Sequence, residues 1–575
     1  MISRRLAWRA LLVLCALTPR PVPAQGAERP QPTCVRGVLI GLEGDQRATL
    51  VLRDGAIEAV LDGDAPAPPG TRIVEGEGLR CVPAFLDAFS RQGLEMRQPV
   101  TDQDVPPDVL ADVGIDMREA NRKGIQPAFQ AVEALALAAS DSKPWRENGF
   151  GSILVAPSGE LLAGTSALVA TREAAARDLV VRDAVFAHAA FAASGEGYPS
   201  TLMGYFAQLR QFFLDAQRHV ELTRRRAEGR PGFRPPYDAE LEQGAALVRR
   251  EQRLVCEAQT VSDIDRWMKL AGEFDLSVVV AGGLEAWRIA EDLRAAEVPV
   301  ILTLDWGKEV DDPRPAEGES EEKAKKKEAD PSHYVEPQAV RLDRRERWEE
   351  GRDCAIRLHE AGVVFAFGTA TESPKGLLKN VRELVKSGLP ASVALEALTV
   401  EPARMLGVED RLGRIEPGHD ATFALWNGDP LTDDKAAVVW IFVDGFPTEF
   451  EQKEKLEGNP DEGIDPTGTW ELVFQGRDGP RKSTLELKMD ASGNVTGTIV
   501  MDNPRGEEPV RADVEGVVNG VTLEFEAELD YGERQMGLTV TGKLEGDEIE
   551  GEGVFKSPWR PEGRSQDFRG KKVPQ

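Results

Sequence analysis

The chain has 575 residues, 41% of them apolar and 29% charged, so it can build several packed cores and wholesale disorder is excluded. Its net charge of −28 repels phosphate backbones, and 6% aromatics leave little for a base-stacking platform, so nucleic acid is not expected as a partner. Histidine is scarce for a long enzyme-sized chain: His188, His219, His333, His359 and His419.

The N-terminus reads as a secretory signal peptide over residues 1–24. Arg4, Arg5 and Arg9 give a positive start, Ala10 to Leu17 a short apolar run, and Val22-Pro23-Ala24 a small-residue cleavage site. The run is far short of the ~20 apolar residues a membrane span needs, and Leu14 stands where a lipidation signal ahead of Cys15 wants a small residue. An exported protein, periplasmic or extracellular, with no membrane span is expected. Cys34, Cys81, Cys256 and Cys354 are widely spaced and lack the CxxC pattern, which predicts buried small side chains rather than a disulfide scaffold or a structural zinc site.

Thr49 to Val60 predicts two strands joined by a tight turn at Asp54-Gly55. From about Val82 the pattern changes to apolar β runs, such as Ser152–Ala156, Leu276–Val280 and Val298–Leu302, alternating with helical periodicity at Ser262–Ala271 and Leu284–Ala296. That alternation predicts a parallel α/β fold, most economically a (β/α)₈ barrel. Asp311 to Asp330 interrupts it with eight acids and five bases and reads as a solvated insertion loop, a docking arm being the alternative. Short strands return at Ala421–Trp426 and Ala437–Val443, and a polar stretch over 451–464 reads as a linker. Beyond it, Leu485, Leu487 and Met489, and then Leu523, Phe525, Ala527 and Leu529, alternate with polar residues, predicting an antiparallel sheet with one wet face over 465–575. Its repeated glycines suit a small barrel or curved sheet.

Two stretches together resemble the amidohydrolase superfamily, in particular its imidazolonepropionase-like branch. Gly78–Glu95 resembles the family's first barrel strand, where a D-x-H-x-H motif carries metal ligands, and Val364–Asp429, above all Val393–Asp420, resembles its closing helix and hairpin. The resemblance implies a composite β-sandwich, Cys34–Cys81 with Arg411–Phe446, flanking a barrel over residues 82–409. It also implies one or two divalent metals that activate water at the carboxyl ends of the strands. A His-x-His pair serves there because residues i and i+2 of a strand point the same way.

At each position the resemblance assigns to that chemistry, this chain carries something else. Asp87-Ala88-Phe89-Ser90-Arg91 puts Phe89 and Arg91 in place of the two strand-one histidines. On strand five, Leu254–Gln259 offers Glu257 or, one register away, Cys256; on strand six, Val278–Glu285 offers Ala281 or a glycine. After strand eight, Phe367-Gly368-Thr369-Ala370-Thr371 has Ala370 where the family's catalytic Asp stands. His188, in an apolar surround, is the least implausible remaining ligand and reads first as a core histidine. An Arg91–Glu257 ion pair is expected to fill the cavity a metal would occupy, the alternative being an Arg91 that meets only solvent.

Arg91, Glu257, Asp305, Thr369 and Thr371 are the pocket candidates, with no metal ligand and no cofactor expected. Gly164-Thr165-Ser166 and Ser158-Gly159 lack the spacing of a phosphate loop or a nucleophile elbow. Asp87 and Glu95 are a conceivable carboxylate pair. Gly468-Thr469-Trp470 faintly resembles the opening of lipocalin-like barrels, so the C-terminal domain is either a ligand-holding barrel or an accessory module that binds a partner or surface. The expected function is a metal-free scaffold or a binder of a small molecule at the barrel mouth. The alternatives are an active hydrolase of C–N or related bonds, with zinc or another divalent metal on unconventional ligands or with none, and an interaction protein working through its C-terminal domain.

Overall fold

The computed structural model describes residues 29–42, 46–95, 123–194, 198–230, 237–314, 336–450, 465–476, 479–490, 493–502, 509–530, 535–557 and 560–573. The stretches read above as a signal peptide and a linker, and most of the charged insertion, fall outside them. The chain divides into two units, 1–451 and 452–575.

The first unit opens with β1 (Thr33–Ile40), β2 (Gln46–Arg53), β3 (Ala56–Asp62), β4 (Arg72–Glu75) and β5 (Arg80–Pro83). The barrel strands follow: β6 (Phe85–Ser90), β7 (Phe150–Val155), β8 (Gly164–Thr165), β9 (Ala167–Ala170), β10 (Val180–Arg182), β11 (Ala187–Ala190), β12 (Leu254–Ala258), β13 (Val278–Gly282), β14 (Val300–Leu302) and β15 (Phe365–Phe367). Then come β16 (Phe423–Trp426), β17 (Val438–Val443) and β18 (Phe446–Glu449).

Strands from both sides of the barrel join one sheet in the order β18-β17-β16-β5-β1-β2-β3, with β4 also on β1. The seam is the antiparallel pair β5/β16, with Val82 opposite Ala424. The β2/β3 hairpin turns at Asp54 and Gly55, whose φ angles of 50° and 78° make the type I′ geometry that fits strand twist. Asp444 and Gly445 repeat that geometry between β17 and β18. One face closes on a core that includes Val35, Leu50, Ile57, Phe423 and Phe442.

The barrel wall runs β6, β7, β9/β8, β11, β12, β13, β14, β15, and a parallel bridge between Ser90 and Ala370 brings its two ends together. The third place departs from the expected (β/α)₈ order, because β9 is antiparallel to β7 and β8 is antiparallel to β11. Only Ala156–Ala163 separates β7 from β8, too little for the crossover a parallel strand requires, so the chain doubles straight back. The wall is TIM-barrel-like, with seven parallel strands and one antiparallel strand among the described residues. The helix Val261–Phe274 shows the outer layer's logic. Thr260 caps it, Asp275 ends it in the left-handed region, and Ile264, Trp267, Leu270, Ala271 and Phe274 form the buried stripe.

The second unit is a closed eight-stranded antiparallel barrel: β19 (Gly468–Gly476), β20 (Gly479–Met489), β21 (Asn494–Met501), β22 (Val510–Asn519), β23 (Thr522–Asp530), β24 (Gln535–Glu545), β25 (Glu548–Ser557) and β26 (Arg560–Lys572). The period of two points Leu472, Phe474, Leu485, Leu487, Phe525 and Phe568 into its packed interior. A Cβ on Gly551 would stand 2.0 Å from the carbonyl oxygen of Thr541, so glycine is required where those strands press together. Trp470 is buried and donates its indole N–H to Pro466 O at 2.8 Å, under the Lys572 ammonium.

Candidate functional site at the carboxyl end of the barrel

Alternation along each parallel strand decides what faces the axis. Leu86 and Ala88 of β6, Leu154 of β7 and Ala156 just beyond it, Val255 of β12, Val279 and Ala281 of β13, Ile301 of β14 and Ala366 of β15 share one interior cluster. Their strand neighbours Phe85, Ile153, Cys256, Val280, Val300 and Phe365 belong to the outer core beneath the helices. This settles the strand-five register: Cys256 faces outward and Glu257 inward.

A register shift between Asp87 and Ser90 carries Phe89 into the interior cluster as well. Its ring lies 5.7 Å from that of His188 on β11, at an interplanar angle of 17°. The Arg91 guanidinium stands 5.8 Å from the Phe89 ring centroid and donates through Nη2 to Glu257 Oε2. Four residues from β11, β12 and the end of β6 thus run in series: His188, Phe89, Arg91, Glu257. The expected pair forms, and it is asymmetric: the Arg91 side chain is 41% exposed and that of Glu257 11%. Burial raises the Glu257 carboxyl above its ordinary range, and Arg91 offsets only part of that effect.

The seam between β6 and the turn after β15 holds Arg91 in place. Arg91 N donates to Ala370 O at 2.9 Å and Ala370 N to Phe89 O at 2.8 Å. Ala370 takes a left-handed φ of 50°, and a Cβ on Gly368 would stand 2.9 Å from the Phe89 backbone. His188 is fully buried, which pushes its pKa down to about 3 and keeps it neutral. Among the described residues neither of its ring nitrogens has a hydrogen-bond partner, nor does Glu257 Oε1.

The other candidates stand apart from this series. Thr369 is a correction: its hydroxyl donates to Asp87 Oδ2 at 2.6 Å and its N–H to Asp87 Oδ1 at 3.0 Å. Trp145 Nε1 and Phe89 N complete four donors to Asp87, because a fully buried carboxyl must be satisfied within the protein. Burial still lifts the Asp87 pKa to about 6. The suggested Asp87–Glu95 pair does not form, since these donors enclose Asp87 and Glu95 is exposed. Thr371 and Asp305 are exposed, the latter past Leu304 at a φ of 50°. Sequence reasoning missed the Asp87 hub and the Phe89–His188 stack; the one available signal was a charged residue inside an apolar strand. His219 pairs with Glu242 at 2.9 Å between two helices, and His419 lies against Glu409 O at 3.3 Å. No group of three or more His, Cys, Asp or Glu side chains placed to hold a metal occurs among the described residues.

The wall and the segment that closes it form a TIM-barrel-like domain. Residues 258–456 match the model of the Amidohydrolase family. The amidohydrolase tasK of Hapsidospora irregularis is 28% identical over 210 residues, which are 36% of this chain and 19% of that protein, so the match spans about a fifth of the relative's length. The crystal structure of an amidohydrolase from Thermotoga maritima has a TM-score of 0.55 at 21% identity, covering 73% of this chain and 100% of that one. A β-aspartyl dipeptidase from Fervidobacterium islandicum covers 74% of this chain and 100% of its own at 10% identity and a TM-score of 0.37. Over residues 258–456 the chain is similar to the Amidohydrolase family, and its barrel shares the fold of the Thermotoga maritima amidohydrolase.

Proposed function

We propose that the protein is an exported amidohydrolase-fold scaffold that binds a small molecule at its barrel mouth without a divalent metal. The observation that carries this is the Arg91–Glu257 pair. A metal site of this fold gathers neutral imidazoles and carboxylates at the strand ends, and the side chains here do not fit one. Phe89 offers no lone pair, Arg91 brings a positive charge, and Glu257 already spends one oxygen on that charge. Two unit charges of like sign 4 Å apart repel by about 4 kcal/mol at an effective dielectric of ~20, and a divalent ion doubles that. The pair supplies in ionic form a tie between strands one and five, without Lewis acidity.

Export rests on the leader-like residues 1–24, and N-terminal sequencing of secreted protein tests it. Elemental analysis of purified, dialysed protein tests the central reading. The expected result is zinc, manganese and iron far below one equivalent, with a melting temperature unmoved by chelator. Near one equivalent of a metal, removed by chelator with loss of stability, overturns the reading and restores a metal-dependent hydrolase.

A further inference from the structure

The amino end of the last barrel strand, opposite the mouth, carries a cleft of about 210 Å³. Three segments build it. The helix Cys354–Ala361 stops at Gly362, whose left-handed φ of 73° ends the last turn, and brings His359 to the rim. The helix Ala391–Leu398 presents Val393, Glu396 and Ala397 on one face, as spacings of three and four residues require. Glu401 comes from the helix Val400–Leu406.

The lining is chemically divided. Val364, Phe365, Val393 and Ala397 form an apolar floor. Val364 is 48% exposed although its neighbours Val363 and Phe365 are 5% and 4%, so a guest lying on it removes apolar surface from water. The rim carries charge of one sign. No Lys or Arg lines the cleft, and among the described residues the side chains of His359 and Glu396 make no hydrogen bond or ion pair. Glu401 gives Oε1 to Arg404 at 2.6 Å, so one of the two carboxylates is already offset. What remains is one uncompensated negative charge above an apolar floor, beside an imidazole that accepts a hydrogen bond when neutral. Size narrows the guest further, since pockets for drug-sized ligands run to ~300–1,000 Å³ and this cleft is smaller.

We propose that the cleft binds a small aliphatic ammonium ion, with its charge among Glu396, Glu401 and His359 and its hydrocarbon stem on Val364 and Val393. An ammonium has three donors, one for each of those rim side chains. An anion would meet Glu396, and a second positive charge would find no carboxylate left over. The site shares no residue with the barrel mouth and stands or falls apart from the reading of that end.

A ligand-observed NMR titration of the full chain with straight-chain amines, at fixed ionic strength, tests it. Binding is expected to saturate at one site and to tighten by roughly threefold per added methylene from methylamine to butylamine, as the stem covers the floor. Butanol, which has the same stem without the charge, should bind more weakly than butylamine. Glu396→Gln should loosen butylamine by about threefold, the scale of a solvent-exposed ion pair. Glu346→Gln, at an exposed position on the helix Gln338–Arg352, should change nothing. That control matters because a net charge of −28 attracts any cation loosely. Binding that does not saturate, that ignores the length of the stem, or that weakens equally in both variants overturns the proposal. Nα-acetyl-lysine amide separates the two sources of such an ammonium: tighter binding than butylamine assigns the cleft to a lysine side chain, and weaker binding assigns it to a free amine.

Discussion

Arg91 Nη2 donates to Glu257 Oε2 across the mouth of the barrel, joining the end of the first strand to the fifth. Glu257 is the more enclosed partner, so the consequences of losing Arg91 fall on it. Arg91→Met leaves a carboxylate with neither oxygen paired among the described residues. Breaking a fully buried pair from one side costs about 3–5 kcal/mol; water reaches Arg91, so the expected loss is smaller, about 1–2 kcal/mol. The double variant Arg91→Met/Glu257→Gln is expected to recover most of it, because no charge is then left behind. Urea unfolding of the four proteins in the cycle gives the coupling. A single Arg91→Met variant as stable as the parent would show that the pair ties nothing together.

Asp87 makes stability depend on pH in a direction opposite to that of a salt-bridged carboxylate. Its folded pKa of about 6 lies above the ordinary value of 3.8, so the folded state binds the proton more tightly. The associated stabilisation is complete below about pH 4 and is lost as pH rises through 6, a span worth about 3 kcal/mol at ~1.4 kcal/mol per unit. Glu257 is raised as well and acts with the same sign. Exposed carboxylates paired with arginine, such as Asp312, work in the other direction and mask the effect in the wild type alone. The informative comparison is with Asp87→Asn: the wild type's advantage over that variant should grow as pH falls from 7 to 4.5 in chemical denaturation. An advantage constant across that range would mean that the four donors hold Asp87 ionised.

How far the sequence reaches depends on whether an interaction is local. The alternation in Leu254–Ala258 says that Val255 and Glu257 share a face, but not which face points inward. That is settled by Cys256, which joins the outer core with Ile264 and Trp267 from the following helix. The antiparallel third place was open to inference, since Ala156–Ala163 is too short to hold a crossover helix. The donors to Asp87 were not, because Trp145 and Thr369 reach it from distant parts of the chain. Nor does period-two patterning distinguish an open sheet with one wet face from the closed barrel of the second unit, as both bury one side. The distinction lies in the β19/β26 pairing, with Leu472 opposite Gly570.

The cysteines give a chemical check on the packing. Cys34, Cys81 and Cys256 are 0% exposed and Cys354 is 3%, and no disulfide joins them. Burial raises all four thiol pKa values, that of Cys354 to about 11, which suppresses the thiolate that reagents attack. Protein expressed without residues 1–24, and so without Cys15, should show negligible labelling by a thiol reagent over minutes at pH 8, and guanidinium should expose all four. Rapid modification of any one in the native state would locate a loosely packed part of the barrel or its flanking sheet.

Gly149 fixes how the flanking sheet meets the barrel. It directly precedes β7 with a φ of 81°, and a Cβ there would stand 2.4 Å from Cζ2 of Trp426 on β16. Trp426 is 1% exposed, so its ring has nowhere to retreat. Gly149→Ala therefore combines a left-handed backbone penalty of about 1–2 kcal/mol with an overpacking penalty of about 1–3 kcal/mol. The two parts separate by shrinking the partner. Trp426→Phe removes the atom that the new methyl meets, so in that background Gly149→Ala should lose the steric part and keep the backbone part. Thermal melts of the four proteins read this directly. Equal costs in both backgrounds would show that the ring and the turn are not in contact, and that the sheet is seated on the barrel through other residues.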